Sequence, residues 1–368
     1  MVLSRRIFDN RPLFDERLSS RMAISNVTDH DPKIHRSVTL RCIGDWGQAN
    51  WHRILSWVTQ EFCDRTGPRS RTCIWSMRGG GLEAFELIDA GEADIAICTP
   101  AKLMTGCLDG TGIFTGHAPM PGLRTLARLP QNDRMMLAVD PSFGCRTFAE
   151  IREKKPPLKI ATGVDDPSNF IGFCAHRYLE AHGLSKETIE SWGGEIITSI
   201  RPEHSIIPAK YPETGITAVI NEAIMAIWWN DIIDGLRGFL PIPAEHEALQ
   251  LLQSKMLPSL PPSTLPAGWW KSLHSEIPAL EFCDFLVLCR EDLPEDIAYL
   301  LTWILVETKG VIEAQYRQFS PERSPLGWPM DPKLMAQTTI PLHAGARRYY
   351  LDKGHLTPGT SGLEGANK

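Results

Sequence analysis

No stretch of the 368-residue chain approaches the roughly 18–20 apolar residues that a helix needs to span a bilayer. The longest, Ile297 to Val306, is too short and follows a Pro-Glu-Asp start signal, so membrane insertion is not expected. A basic excess is missing too. Lys and Arg number 38 against 44 Asp and Glu, a net charge of −6, which leaves no electrostatic footprint for nucleic acid. The first residues mix Arg5, Arg6, Arg11, Arg17 and Arg21 with Asp9, Asp15 and Glu16. They lack the apolar core of roughly 7–15 residues of a secretory signal, and carry more acids than an organellar presequence. A cytoplasmic location is therefore expected. The nine cysteines include no CxxC pair and are odd in number, which predicts buried reduced thiols rather than disulfides or a zinc site.

Catalytic and cofactor signatures are equally scarce. The chain contains no GxGxxG, GK[ST], HExxH or GxSxG, so dinucleotide enzymes, P-loop NTPases, zincins and serine hydrolases of the elbow type drop out. Neither a cofactor nor a metal is expected. What is present is ordinary globular material, 43% hydrophobic and 22% charged, long enough at roughly 150 residues per domain for two domains.

Strand and helix patterns alternate from residue 38 onward. Val38 to Gly44 alternates as a strand, and Trp51, Ile54, Leu55, Val58 and Phe62 follow at helical spacing. Strands are expected at 72–76, 94–98, 123–129, 135–139, 158–162, 196–200, 216–220, 236–242 and 282–289. Helices are expected at 82–90, 147–153, 168–182, 244–254 and 294–309. Such alternation implies layered α/β lobes with parallel sheets. Pro100–Gly122 reads as a loop edging a cleft, and the Pro-rich stretch 258–268 as an extended connector.

Three turns each leave a strand and open a helix: Gly44-Asp45-Trp46-Gly47, Arg78-Gly79-Gly80-Gly81 and Thr162-Gly163-Val164-Asp165-Asp166-Pro167-Ser168. Free N–H groups at helix starts favour anions, and ligands of open α/β sheets sit outside the carboxyl ends of strands. The turns either surround one ligand or merely let the chain turn tightly. Arg78 beside three glycines suits a ligand carboxylate, or is a surface residue. Glu222 stands among apolar neighbours, so it either pairs with a basic group or has a raised pKa suited to proton transfer. Asp45, His176 and Glu222 are the acid–base candidates of an enzyme reading; Gly44, Asp45, Trp46, Gly47, Arg78, Gly79, Gly80, Gly81, Asp165, Asp166, Ser168 and Glu222 are the ligand-binding candidates.

Two segments point to a family. Gly79-Gly80-Gly81-Leu82-Glu83 with Leu87 to Ile97, and the closing Ile340-Pro341-Leu342-His343-Ala344-Gly345-Ala346-Arg347-Arg348-Tyr349-Tyr350, resemble the motifs of TAXI solute receptors of TRAP transporters. Leu123-Arg124-Thr125-Leu126-Ala127 and Leu293 to Tyr299 also fit, so the resemblance spans about residues 38–356. It implies a type II periplasmic-binding-protein fold: two α/β lobes, crossed twice by the chain and closing on a small organic acid or amino-acid-like ligand. On that pattern 38–138 plus 240–356 form one lobe and 139–239 the other; residues 1–37, polar and without a sustained period, read as a tail or a strap over the surface, and 357–368, rich in Gly, Thr and Ser, as disordered. Asp45 and Trp46 in the first turn, and Asp165 and Asp166 in the third, depart from the receptors' Gly, Ser and Thr, and suit a ligand with a cationic or hydroxylated end. The lack of an export signal argues against a permease partner. Two functions follow: a binding protein, or a metal-independent enzyme on the same scaffold, of decarboxylase, dehydratase or isomerase type, acting on a small carboxylate.

Overall fold

A computed structural model describes residues 28, 30–44, 49–77, 81–360 and 362–363. The strands expected from alternation form at β1 (Thr39–Ile43), β2 (Arg71–Trp75), β3 (Ile95–Cys98), β4 (Leu123–Leu129), β5 (Arg134–Val139), β6 (Lys159–Gly163), β7 (Glu195–Ser199), β8 (Ala218–Asn221) and β9 (Leu240–Ile242). They are followed by β10 (Pro262–Leu265), β11 (Ile277–Glu281) and β12 (Phe285–Arg290). Two sheets result. One runs β2-β1-β3-β12-β4; the other runs β10-β11-β5-β8-β6-β7, with β9 also paired to β5. Helices flank both, and no helix among the described residues is long and apolar enough to cross a membrane.

The sheets are not purely parallel. β12 is antiparallel to β3 and β4, and β5 is antiparallel to β8. The reason is topological: the chain enters the second sheet through β5 and returns to the first through β12, each time from the side of the partner lobe. Residues 130–133 and 282–284 are the two crossings. They pair with each other, Phe282 N–H donating to the Asp133 carbonyl at 3.0 Å and Asp284 N–H to the Gln131 carbonyl at 3.1 Å.

The lobes therefore divide at 130–133 and 282–284, not at 138 and 240. β5 is apolar at nearly every position and buried, so it needs neighbours on both edges. It takes β8 on one edge and β9 and β11 on the other, which draws 240–281 into the second lobe. The stretch 258–268 holds an outer strand, β10, where Pro262 is tolerated. Pro100–Gly122 folds into short 3₁₀ turns rather than an open loop, and buries Leu103, Met104 and Phe114.

Residues 30–37 act as a strap: buried Ile34 bridges to Thr66 and Arg36 pairs with Asp296. At the other end Leu363 bridges to Thr338, so the described part of 357–368 is placed rather than disordered. All nine cysteines are free thiols.

The lobes meet on an apolar seam. Phe85, Phe114 and Phe170 pack with ring centroids 5.1, 5.9 and 5.8 Å apart, joining both lobes in one apolar core. Behind it, the helix Phe170–Ala181 lies directly on β6 because Gly172 has no side chain: a Cβ there would come within 2.1 Å of the Val164 carbonyl oxygen. Gly172→Ala should lower stability by about 1–3 kcal/mol by overpacking, read as a lower urea midpoint. Gly310→Ala, in the helix Lys309–Ala314 with open space around it, should leave stability unchanged or raise it by up to about 1 kcal/mol, read as an unchanged or higher midpoint.

Candidate functional site

The crossings place a buried carboxylate where the lobes join. Asp133 accepts three backbone N–H groups, from Arg134 at 2.7 Å, Ala223 at 2.9 Å and Ile224 at 3.1 Å. Two of these come from the turn after β8, where Ala223 takes the left-handed φ of 60° that side chains other than glycine rarely adopt. Holding Ala223 in this way presents its N–H to Asp133 and turns the preceding residue, Glu222, toward the same carboxylate.

Glu222 is 7% exposed. No basic side chain among the described residues is a leading influence on the pKa of either Glu222 or Asp133. Burial, the Asp133 charge and a hydrogen bond between the two side chains hold the Glu222 carboxyl well above the ordinary range. Burial pushes Asp133 up as well, while the Glu222 hydrogen bond and the backbone amides pull it back. The pair shares one proton, and the amides leave it on Glu222. The ion-pair reading of Glu222 is thus replaced by the raised-pKa one.

Glu222 faces a cavity of about 310 Å³ between the lobes. The first lobe supplies Asn50, Trp51 and Arg53 from the helix Ala49–Asp64, Thr99 after β3, and Phe285 at the start of β12. The second supplies Ala223, Met225, Ala226 and Ile227, and Gln131 comes from the crossing. Trp51 and Phe285 meet edge to face at 6.1 Å. Asn50 is held by the Pro325 carbonyl at 3.1 Å and the Tyr316 hydroxyl, and the Arg53 guanidinium lies 5.3 Å above the Tyr316 ring. Gln131 is 7% exposed and its Oε1 has no partner.

The sequence-based candidates divide into three groups. Asp45, Trp46, Gly47, Arg78, Gly79 and Gly80 lie outside the described residues. Gly44 ends β1 and its N–H donates to the Trp75 carbonyl at 2.9 Å. Gly81 and Ser168 do meet across the lobes, where Leu82 N–H donates to the Ser168 carbonyl at 3.3 Å. There the Phe170 ring fills the space a Gly81 side chain would take, and the void beside it is only about 10 Å³.

The two acids of the third turn are engaged locally. Asp165 pairs with Arg177 at 2.7 Å. Asp166 accepts the Ser168 N–H at 2.8 Å, an Asx turn that holds its carboxyl below the ordinary range. His176 is buried, 3.2 Å from the Gly163 carbonyl, and burial lowers its pKa. Of the described candidates, only Glu222 lines the 310 Å³ cavity.

Asp133, Gln131, Arg53 and Thr99 carry no motif and escaped sequence reasoning. The polar triplet Gln131-Asn132-Asp133 between two apolar strands was the available signal.

Two sheets, two paired crossings and a polar cavity between the lobes define a two-lobed α/β fold like that of type II periplasmic binding proteins. The chain belongs to the NMT1-like family, whose model matches residues 67–354. No curated protein matches the sequence. Solved structures similar to it include MatC from Rhodopseudomonas palustris with bound malate, 10% identical with a TM-score of 0.47 over 87% of this chain and 96% of that one. PhnD1 from Prochlorococcus marinus in complex with methylphosphonate is 13% identical with a TM-score of 0.43, over 77% and 84%.

The Glu222 proton has a thermodynamic signature. Unfolding lets Glu222 return to its ordinary value of 4.5, so above that pH the folded state binds more protons than the unfolded one. Stability then falls as pH rises from there toward the folded-state value. Glu222→Gln keeps the shape and removes the titration. The melting temperature of the variant minus that of the native chain should therefore increase steadily from acidic to weakly alkaline pH; a difference independent of pH would show that Glu222 ionises normally.

Proposed function

We propose that the protein binds a small organic acid or amino-acid-like molecule in the interlobe cleft, as a cytoplasmic relative of the TAXI receptors that works without a permease. The observation that carries this reading is the 310 Å³ cavity between the lobes, within the range of small-molecule sites and lined by aromatic walls with a few convergent polar groups. Arg53 at the cavity wall suits a ligand carboxylate, and Arg78 is the second candidate for that contact. The paired crossings are the natural hinge: only residues 130–133 and 282–284 need to absorb the rotation.

Native mass spectrometry of the purified chain should show a small molecule that dissociates on unfolding. Ala226→Trp, which fills the cavity from the second lobe, should abolish that adduct in a folded variant. An adduct undiminished by Ala226→Trp would place the ligand elsewhere.

A second reading is favoured by one specific observation. A buried carboxyl kept protonated beside a second carboxylate, and facing a cavity, is the arrangement that supplies a general acid near neutral pH. In that reading Glu222 is the proton donor to a small carboxylate, with Asp45 as the other acid–base candidate. Glu222→Gln should then retain ligand while turnover of the native ligand drops about 10²–10⁴-fold. Unchanged turnover in the folded variant would remove Glu222 from the chemistry.

A further inference from the structure

The cavity floor is unusual in what it offers a ligand. Gln131 Oε1 is an acceptor, buried and without a partner. Its amide nitrogen is already turned to the Met225 sulfur at 3.8 Å, which leaves the oxygen as the group to be satisfied. Glu222 lines the same cavity, and its carboxyl is hydrogen-bonded to Asp133, so a proton held in that bond leaves an oxygen as the group it can offer a ligand. A buried acceptor left unmet is costly, and two acceptors on one floor are met by a donor, not by an anion.

The surrounding charges agree. Glu203, on the helix Pro202–Ile206, adds a further negative field at Glu222. Arg134 spends its guanidinium on the carbonyls of Asp133 at 2.6 Å and Thr264 at 3.0 Å and on the Cys283 sulfur. Asp284, on the second crossing, faces Arg128 at 3.6 Å. Arg53, the cation that lines the cavity among the described residues, lies on the opposite lobe over Tyr316.

We infer that this floor is the docking point for a positively charged N–H donor, an ammonium or amidinium group, held between Gln131 Oε1 and the Glu222 carboxyl. The inference rests on the cleft being the ligand site and adds which end of the ligand goes where. The cation takes the place of the shared proton: before binding the pair carries one proton and one negative charge, and after binding both carboxylates are ionised, the cation lies beside Glu222, and the proton has passed to solvent. Affinity therefore rises with pH while Glu222 is still protonated in the free protein. Asp133 is a positioning residue here, since it reaches the ligand only through Glu222.

The test is calorimetric titration of the full chain with benzylammonium, benzyl alcohol and benzoate, probes of similar shape sized for the Trp51 and Phe285 walls, in two buffers of unlike ionisation enthalpy. Benzylammonium is expected to bind with release of about one proton at weakly acidic pH, and the other two to bind about 10-fold or more weakly. Glu222→Gln should abolish the proton release. Gln131→Met removes an oxygen that is unpaired in the free protein, so it should leave the melting temperature unchanged or raised yet weaken benzylammonium about 10-fold or more. A glutamine with a merely structural role would lower the melting temperature and leave the affinity alone.

Benzylammonium binding no better than benzyl alcohol, or binding without proton release, overturns the inference. Benzoate bound in its place, and lost in Ala226→Trp, overturns the inference while upholding the cleft as ligand site. Benzylammonium binding that survives Ala226→Trp overturns both.

Discussion

The arrangement depends on one buried carboxylate. Asp133 sits on the first crossing between lobes and gathers three backbone amides, two of them from the turn that ends β8. Without such a partner those N–H groups would be buried and unmet, at a cost comparable to a lost hydrogen bond each. Satisfying them locks the hinge to the second sheet and keeps Ala223 in a conformation an isolated turn would abandon. It also decides the state of Glu222. Two carboxyls in apolar surroundings cannot both ionise, so the one with the amides keeps the charge and the other keeps the proton.

The same constraint explains where open space remains. Higher along the seam the lobes are closed by apolar contact: Phe170 lies where a side chain on Gly81 would be, and Phe85 and Phe114 close around it. Aromatic packing of this kind excludes water and leaves almost no void. At the hinge end, polar groups held by the backbone prevent an equivalent collapse, and the cavity survives between Trp51 and Glu222. Binding space is thus a consequence of the polar hinge, and Gly44, Gly81 and Ser168, described residues of the three glycine-bearing turns, do not line it.

Much of the fold was legible in residue order. The alternation of Val38 to Gly44, the helical spacing from Trp51 to Phe62 and the apolar run of Ile95–Cys98 each mapped onto the element they implied within a few residues. Local pattern failed where partner strands decide. Met135–Val139 and Leu240–Ile242 read as strands, yet nothing in them states to which sheet they belong; pairing with β8 and β11 does. The acids at 165 and 166 invited a ligand role, and the structure engages them with Arg177 and with the Ser168 amide. A short polar side chain in a turn satisfies its own backbone as readily as a ligand, and the two uses share one sequence signature.

Glu222 shows both sides of that boundary. An acid between the strand Ala218–Asn221 and the run toward Trp229 had to be either paired or protonated, because burying a lone charge is too costly. The sequence alone determined that choice of two, together with two α/β lobes and the order of their elements. Only the tertiary structure decided between them, since the deciding group, Asp133, lies 89 residues away along the chain and reaches Glu222 through the crossing. The pKa of a buried acid is set by what folding brings within hydrogen-bonding distance, and that distance is a property of the packed chain, not of its neighbours in sequence.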